Sequence, residues 1–216
     1  MMLAAWIAIA FLSGALPFSV WIGRLALRAD IRAYGDGNPG ATNVLRAGGR
    51  GWGALALGLD YLKGAVPVGC AHLAGGLTAW PLVAVALAPV CGHAWSPFLK
   101  GRGGKAVAVT FGVWTGLTIW EGPTVLGLLV TLTALSIDVA GWAVLLAMIG
   151  MLVYFVLTPP AINGLGLRAA LVPDLLATWV GNILILAWKH RAELAVRPRL
   201  RRRRRGTPAS RSSAVR

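Results

Sequence analysis

Long apolar runs alternate with short polar connections along the whole chain. About 20 consecutive apolar residues suffice to cross a bilayer as a helix. The runs predict membrane helices over residues 3–21, 52–73, 79–95, 107–120, 124–137, 139–157 and 170–188. The fold class that follows is an all-α integral membrane protein of about seven transmembrane helices. Runs 107–120 and 124–137 are short for a crossing, so five spans with a re-entrant or interfacial middle pair would keep the same ends. Glu121, Gly122 and Pro123 mark the turn between them. Pro17, inside the first run, predicts a kink and a freed carbonyl. The first run lacks a basic leader and a clear small-residue cleavage site, and is read as a retained span.

Charge orients these spans. Arg24, Arg28, Arg32, Arg46 and Arg50 crowd the first connection, which is therefore expected in the cytoplasm. An odd number of crossings then puts the N-terminus outside and the C-terminus in the cytoplasm. The chain has 216 residues, 57% hydrophobic and 13% charged, with a mean hydropathy of +0.70. A soluble domain carries about a quarter charged residues, so that class is excluded. The net charge of +14 sits mostly past residue 188, where eleven Lys and Arg face Glu193 alone. The expected organisation is one membrane-embedded domain over residues 1–191 and a basic, disordered cytoplasmic tail over 192–216. An arginine tail beside a membrane fixes topology and touches anionic lipid. No folded nucleic-acid module accompanies it, so no nucleic-acid partner is expected. Cys70 and Cys91 lie in apolar runs and read as small buried hydrophobes.

Two polar connections hold the candidate chemistry. The first, residues 34–46, reads YGDGNPGATNVLR. Its glycines permit tight turns and close approach to a ligand, and its exposed amides suit an anion. Arg46 adds a planar cationic fork that matches phosphate. Alone, the stretch is equally well a plain connecting loop. The second connection contains GHAWSPFLKGRGGKAV, with Lys100, Arg102 and Lys105 among glycines and His93 just before. Both fall on one membrane face, joined there by Lys189, His190 and Arg191 at the end of the last run. In the second run, Asp60 and Lys63 share a helix face. They form either an intramembrane salt bridge or a pair whose lysine reaches toward the polar site. Asp36, His93 and His190 are the candidate proton carriers. No carboxylate cluster or ligand spacing suggests a metal, and no serine-centred elbow occurs. Cation clamps that hold two substrates would serve acyl or phosphoryl transfer.

GDGNPGATNVLR, DYLKG, GHAWSPFLKGRGGKAVAV and KHR, in this order from Ser13 to Arg191, resemble the bacterial acyl-phosphate:glycerol-3-phosphate acyltransferases. The resemblance implies an inner-membrane enzyme of seven helices with its site at the cytoplasmic face. It implies acyl transfer from acyl phosphate to the 1-position of glycerol 3-phosphate, without acyl-CoA, metal or other cofactor. The products would be lysophosphatidic acid and phosphate. Carried over, Gly37, Asn38, Gly40, Thr42, Asn43 and Arg46 bind phosphate. His93, Gly103, Gly104 and Lys105 match the second motif, with Lys105 as phosphate clamp, and His190 matches the third. Asp36 stands where the family usually has serine, Ala106 where it has glycine, and Glu193 where it has asparagine. Asp36 therefore shapes the turn, orients an arginine, or accepts a proton from the glycerol hydroxyl. The expected catalytic set is Asp36, Arg46, Lys105 and His190, with Lys63 among the substrate-binding residues. Two other readings stay open. One is a same-fold protein with altered acceptor or lost catalysis; the other is a small anion transporter.

Overall fold

The computed structural model describes residues 1–158 and 167–201, and side chains in 167–172 are not described. Residues 159–166, between the runs at 139–157 and 170–188, and the arginine run from Arg202 lie outside the described residues.

The described chain is helical. Nine α-helices run in order: α1 Met2–Ala15, α2 Phe18–Leu25, α3 Ala41–Gly69, α4 Ala79–Ala94, α5 Val107–Thr118, α6 Glu121–Ser136, α7 Ala140–Leu157, α8 Leu167–Lys189 and α9 Arg191–Leu194. Four stretches among the described residues are long and apolar enough to cross a membrane: Met2–Leu25, Ala41–Ala74, Ala79–Leu99 and Ala140–Leu157. The apolar helices α5 and α6 are shorter.

Several boundaries differ from the sequence pattern. The proline at 17 breaks the first run into α1 and α2, because its ring cannot accept a helical neighbour at Leu16. α3 begins at Ala41, so Thr42, Asn43 and Arg46 ride on helical turns rather than on a loop. The helix kinks at Gly49 (φ 80°) before entering its long apolar stretch. Glu121 opens α6 instead of making a turn, and its Oε1 accepts a hydrogen bond from Tyr154 Oη at 3.0 Å. The segment after Arg191 is also engaged. Asp138 N–H donates to Arg199 C=O (3.1 Å), Arg201 N–H to Ser136 C=O (2.8 Å) and Trp142 Nε1 to Val196 C=O (2.8 Å). The backbone at the α6–α7 connection has left its helix and takes these partners instead. Contact with the domain therefore continues beyond the boundary expected at residue 191.

α5 occupies the centre, with Trp114 fully buried among residues of α3, α4, α7 and α8. Trp114 Nε1 donates to Asn182 Oδ1 (3.2 Å), and Asn182 Nδ2 donates to Thr110 Oγ1 (2.9 Å). A bilayer core offers no water to such groups, so they must satisfy one another. The close crossings use glycine. A Cβ on Gly112 would lie 2.0 Å from the Tyr61 carbonyl oxygen of α3, and one on Gly92 would lie 2.2 Å from that of Phe11 in α1. Small residues let helix backbones approach and gain dispersion contact where lipid supplies no hydrophobic drive.

Overpacking of this kind costs about 1–3 kcal/mol or more. Gly112→Val is expected to lower the thermal midpoint of the detergent-purified protein. Gly58→Ala, where a Cβ meets nothing within 4 Å, should leave the midpoint no lower. A Gly112→Val variant as stable as the parent would contradict the α3–α5 crossing.

Candidate active site

A cavity of about 660 Å³, lined by both charged and apolar side chains, opens where three helices begin. Gly40, Ala41 and Thr42 come from the start of α3, Ala106, Val107 and Ala108 from the start of α5, and Val139 and Ala140 from the start of α7. The first amides of a helix have no intrahelical acceptor and carry the positive end of its dipole. No side chain caps any of these three starts. Three uncapped N-termini around one cavity make a field suited to anions.

Side chains add to that field. Lys105 Nζ reaches Asp36 Oδ2 at 2.5 Å and also contacts Glu193 Oε1. Asp36 is fixed in turn by the Asn38 amide (3.2 Å) and by Asn43 Nδ2 (3.1 Å). Asn43, itself buried, also donates to Asn38 C=O and accepts from Arg46 Nη1 at 2.8 Å. The turn that allows this needs glycine at 35. Its φ is +56°, and a Cβ there would fall 1.7 Å from Arg46 Nη1. His190 lines the cavity and shares its Nδ1 with Leu186 C=O at 2.9 Å. Apolar Leu57, Phe111 and Val144 complete one wall.

Of the expected residues, Asp36, Asn38, Gly40, Thr42, Arg46, His93, Lys105 and His190 line this cavity. Gly37, Asn43, Lys63, Gly103 and Gly104 do not. Gly37 turns the backbone at φ +71°. Gly103 and Gly104 pack against His93, where a Cβ would lie 1.9 Å from its carbonyl oxygen and 2.2 Å from its Nε2 respectively. Although its partner Asp60 lines the cavity, Lys63 does not. It pairs with Asp60 at 2.7 Å and donates to Leu16 C=O at 3.0 Å, the carbonyl freed by the break at Pro17. Asp60 also accepts from Ser19 Oγ at 3.0 Å. Burial and full pairing explain this placement, since an unpartnered cation there would be costly.

The wider cationic constellation divides. Lys189 donates to the carbonyls of Ala94 (2.8 Å) and Gly103 (3.0 Å), a scaffold role. Lys100 and Arg102 line a separate cleft. Three acids outside the expected site set, Asp60, Asp138 and Glu193, also line the cavity. Asp60 is expected only as the partner of Lys63 and Glu193 only as a departure from the third motif, while Asp138 has no motif around it; the fold brings all three to the cavity.

The Lys105 contacts set protonation. Burial favours the uncharged amine, but the Asp36 and Glu193 carboxylates outweigh it and raise Lys105 above its ordinary 10.5. Burial likewise works against ionised Asp36, yet the bonds from Lys105, Asn38 and Asn43 hold it below its ordinary 3.8. Burial also lowers His190, favouring the neutral imidazole. The Lys105 contribution is thus fully present below the ordinary lysine value and lost as pH rises through the raised one. The Asp36 contribution is present above the ordinary aspartate value and lost as pH falls through the depressed one. Asp36→Asn/Glu193→Gln leaves burial acting alone, so the Lys105 titration should move to lower pH. Lysine-selective ¹⁵N chemical shifts would show it; an unmoved titration would refute the contacts.

Residues 4–197 match the family model described as glycerol-3-phosphate acyltransferase. A Thermotoga maritima protein named glycerol-3-phosphate acyltransferase 1 is 38% identical over 200 residues, covering 87% of this chain and 94% of that one. A glycerol-3-phosphate acyltransferase of Desulfovibrio desulfuricans is 37% identical over 191 residues, covering 88% and 78%. The fold is similar to crystal structures of PlsY, an integral membrane glycerol 3-phosphate acyltransferase. Its glycerol 3-phosphate form superposes with a TM-score of 0.76 at 28% identity, over 90% of this chain and 91% of that one. Its lysophosphatidic acid form gives 0.75 at 27% identity. With these motifs, this helical frame and these relatives, the chain belongs to the glycerol-3-phosphate acyltransferase family of integral membrane proteins.

Proposed function

We propose that the protein transfers a fatty acyl group from acyl phosphate to the 1-hydroxyl of glycerol 3-phosphate. The products are lysophosphatidic acid and phosphate, a step of phospholipid synthesis. Family membership supports the acyltransferase reading, and the glycerol 3-phosphate and lysophosphatidic acid forms of the similar PlsY structures support the acceptor. The observation that carries it is the cavity where three uncapped helix starts meet Arg46 and Lys105.

The chemistry follows from charge. The hydroxyl oxygen attacks the acyl carbonyl carbon and forms the ester bond. The bond from that carbon to the phosphate oxygen breaks, and its electron pair leaves with phosphate. The hydroxyl proton ends on the leaving phosphate. Negative charge moves from the carbonyl oxygen to the leaving group, so fixed cations and helix starts stabilise the transition state more than the reactants. Lys105 and Arg46 clamp the phosphoryl groups, and the Thr42 side chain and the first amides of α3, at Ala41 and Thr42, complete the cradle. Asp36, held against Lys105, relays or accepts the proton, and neutral His190 accepts or orients the hydroxyl. His93 supports the wall with Gly103 and Gly104.

Removing one electrostatic donor of this kind costs about 10²–10³ in kcat. Detergent-purified protein given acyl phosphate and glycerol 3-phosphate should form lysophosphatidic acid, detected by mass spectrometry. Lys105→Ala and Arg46→Ala should each lose turnover on that scale, and robust turnover by both would end this assignment. A second reading, altered acceptor or lost catalysis, draws on one observation: two carboxylates already occupy Lys105. An inactive parent whose Asp36→Ser variant gains turnover would favour it.

The arrangement also supports seven passes in an inner or plasma membrane, with the N-terminus outside and the cavity and C-terminus cytoplasmic. The starts of α3, α5 and α7 and the end of α8 all meet at the cavity, so consecutive passes alternate in direction. Single cysteines at Gly76 and at Arg50, in a Cys70→Ala/Cys91→Ala background, should label from opposite faces of oriented vesicles. Labelling from one face would overturn the topology.

A further inference from the structure

The cations that the reaction cavity leaves out gather elsewhere. Arg24, Arg32, Lys100 and Arg102, with Phe98 and Leu99, line a second cleft of about 610 Å³ that shares no lining residue with the first. No acid lines it. Arg32 is paired with Asp30 at 2.7 Å, while Arg24, Lys100 and Arg102 make no ion pair among the described residues.

Its shape is fixed by the backbone. Lys100 and Gly101 take left-handed conformations (φ 53° and 77°). The amides of Lys100, Gly101 and Arg102 are bonded to the carbonyls of Pro97, Ser96 and Leu99 at 2.9–3.1 Å. Ser96 Oγ ties the turn to Ala15 C=O at 2.6 Å. The cations are thus mounted on a stapled turn rather than on a loose loop.

Phe98 and Leu99 give the cleft an apolar part, and further exposed apolar side chains lie close to its residues in the chain. Leu25 is 82% exposed and Phe98 54%, and Trp21 and Trp95 are also partly exposed. All lie where α2 and α4 end, the depth at which amphipathic side chains meet head groups. A soluble anion would need the cations and not this rim. An amphiphile with a phosphate head and hydrocarbon tails uses both.

We propose that this cleft binds the headgroup of an anionic phospholipid of the surrounding bilayer, at a site distinct from the reaction cavity. The Lys100, Arg102 and Arg24 side chains would meet the phosphodiester, with the acyl chains against Leu25 and Phe98. The same connection runs on through Gly103 and Gly104 to Lys105, so a bound lipid braces the segment that carries the clamp.

The test is lipid retention by the full chain in detergent, read by native mass spectrometry with phosphatidylglycerol and phosphatidylcholine as probes. One phosphatidylglycerol should bind, and phosphatidylcholine should bind far more weakly. A surface cation near anionic lipid is worth roughly a fivefold factor, so Arg24→Gln/Arg102→Gln should weaken phosphatidylglycerol about 30-fold. Arg50→Gln, outside the cleft, should not. Should the Arg24 variant fail to fold, Lys100→Gln/Arg102→Gln reports the same loss. Equal binding of the two lipids, full binding by the cleft variants, or equal loss in Arg50→Gln overturns the proposal. So does displacement of the lipid by inorganic phosphate where chloride at matched ionic strength has no effect, since that assigns the cleft to a free anion.

Discussion

Lys105 holds the candidate site together. Its ammonium joins Asp36, 69 residues earlier, to Glu193, 88 residues later, and so ties the first connection, the second connection and the end of the chain. An ion pair between exposed side chains contributes little, but this one is half-buried and sits where uncapped helix starts already concentrate positive potential. Its two carboxylates balance that potential while the cavity holds no anion. A phosphoryl group entering the cavity competes with them for the same ammonium. The strength of substrate binding is therefore a difference between two sets of charge-assisted contacts.

The remainder of the fold answers to the bilayer. A helix broken at Pro17 leaves Ala15 and Leu16 carbonyls open, and Ser96 in the turn after α4 and Lys63 of α3 take them. Lys63 needs a counter-charge and has Asp60, which Ser19 also supports. Breaking such a buried pair from one side costs about 3–5 kcal/mol, because the other charge is left without a partner. These contacts hold α2, α3 and α4 at the angle from which the two glycine-rich connections face each other. Glycines at the crossings bring the backbones close enough for the contacts to form.

Much of this was legible in the sequence. Apolar runs located every long helix, and the two glycine and cation stretches led to Asp36, Arg46 and Lys105, which do line one cavity. Pro17 announced a freed carbonyl, though not that Lys63 would claim it. Periodicity gave no warning that α3 starts at Ala41, because the polar residues of its first turns read as a loop until the kink at Gly49 is seen. Lys100 and Arg102 looked like partners of Lys105. The left-handed pair at Lys100 and Gly101 turns them to another surface, and backbone sign is not written in a charge pattern. Glu193 was visible as the lone acid of a basic segment, but not as a partner of Lys105. The meeting of three helix starts had a signal that was available, since alternating passes must bring every second helix start to the same face.

One wall of the reaction cavity has an outside. Leu57 lines the cavity and is also 54% exposed on the flank of α3. The cavity thus reaches the outer flank of an apolar helix at this residue. On the function proposed here, Leu57 marks where a greasy tail would leave the cavity while its head is gripped, so the same side chain would face both the reacting ends and the lipid around the helix.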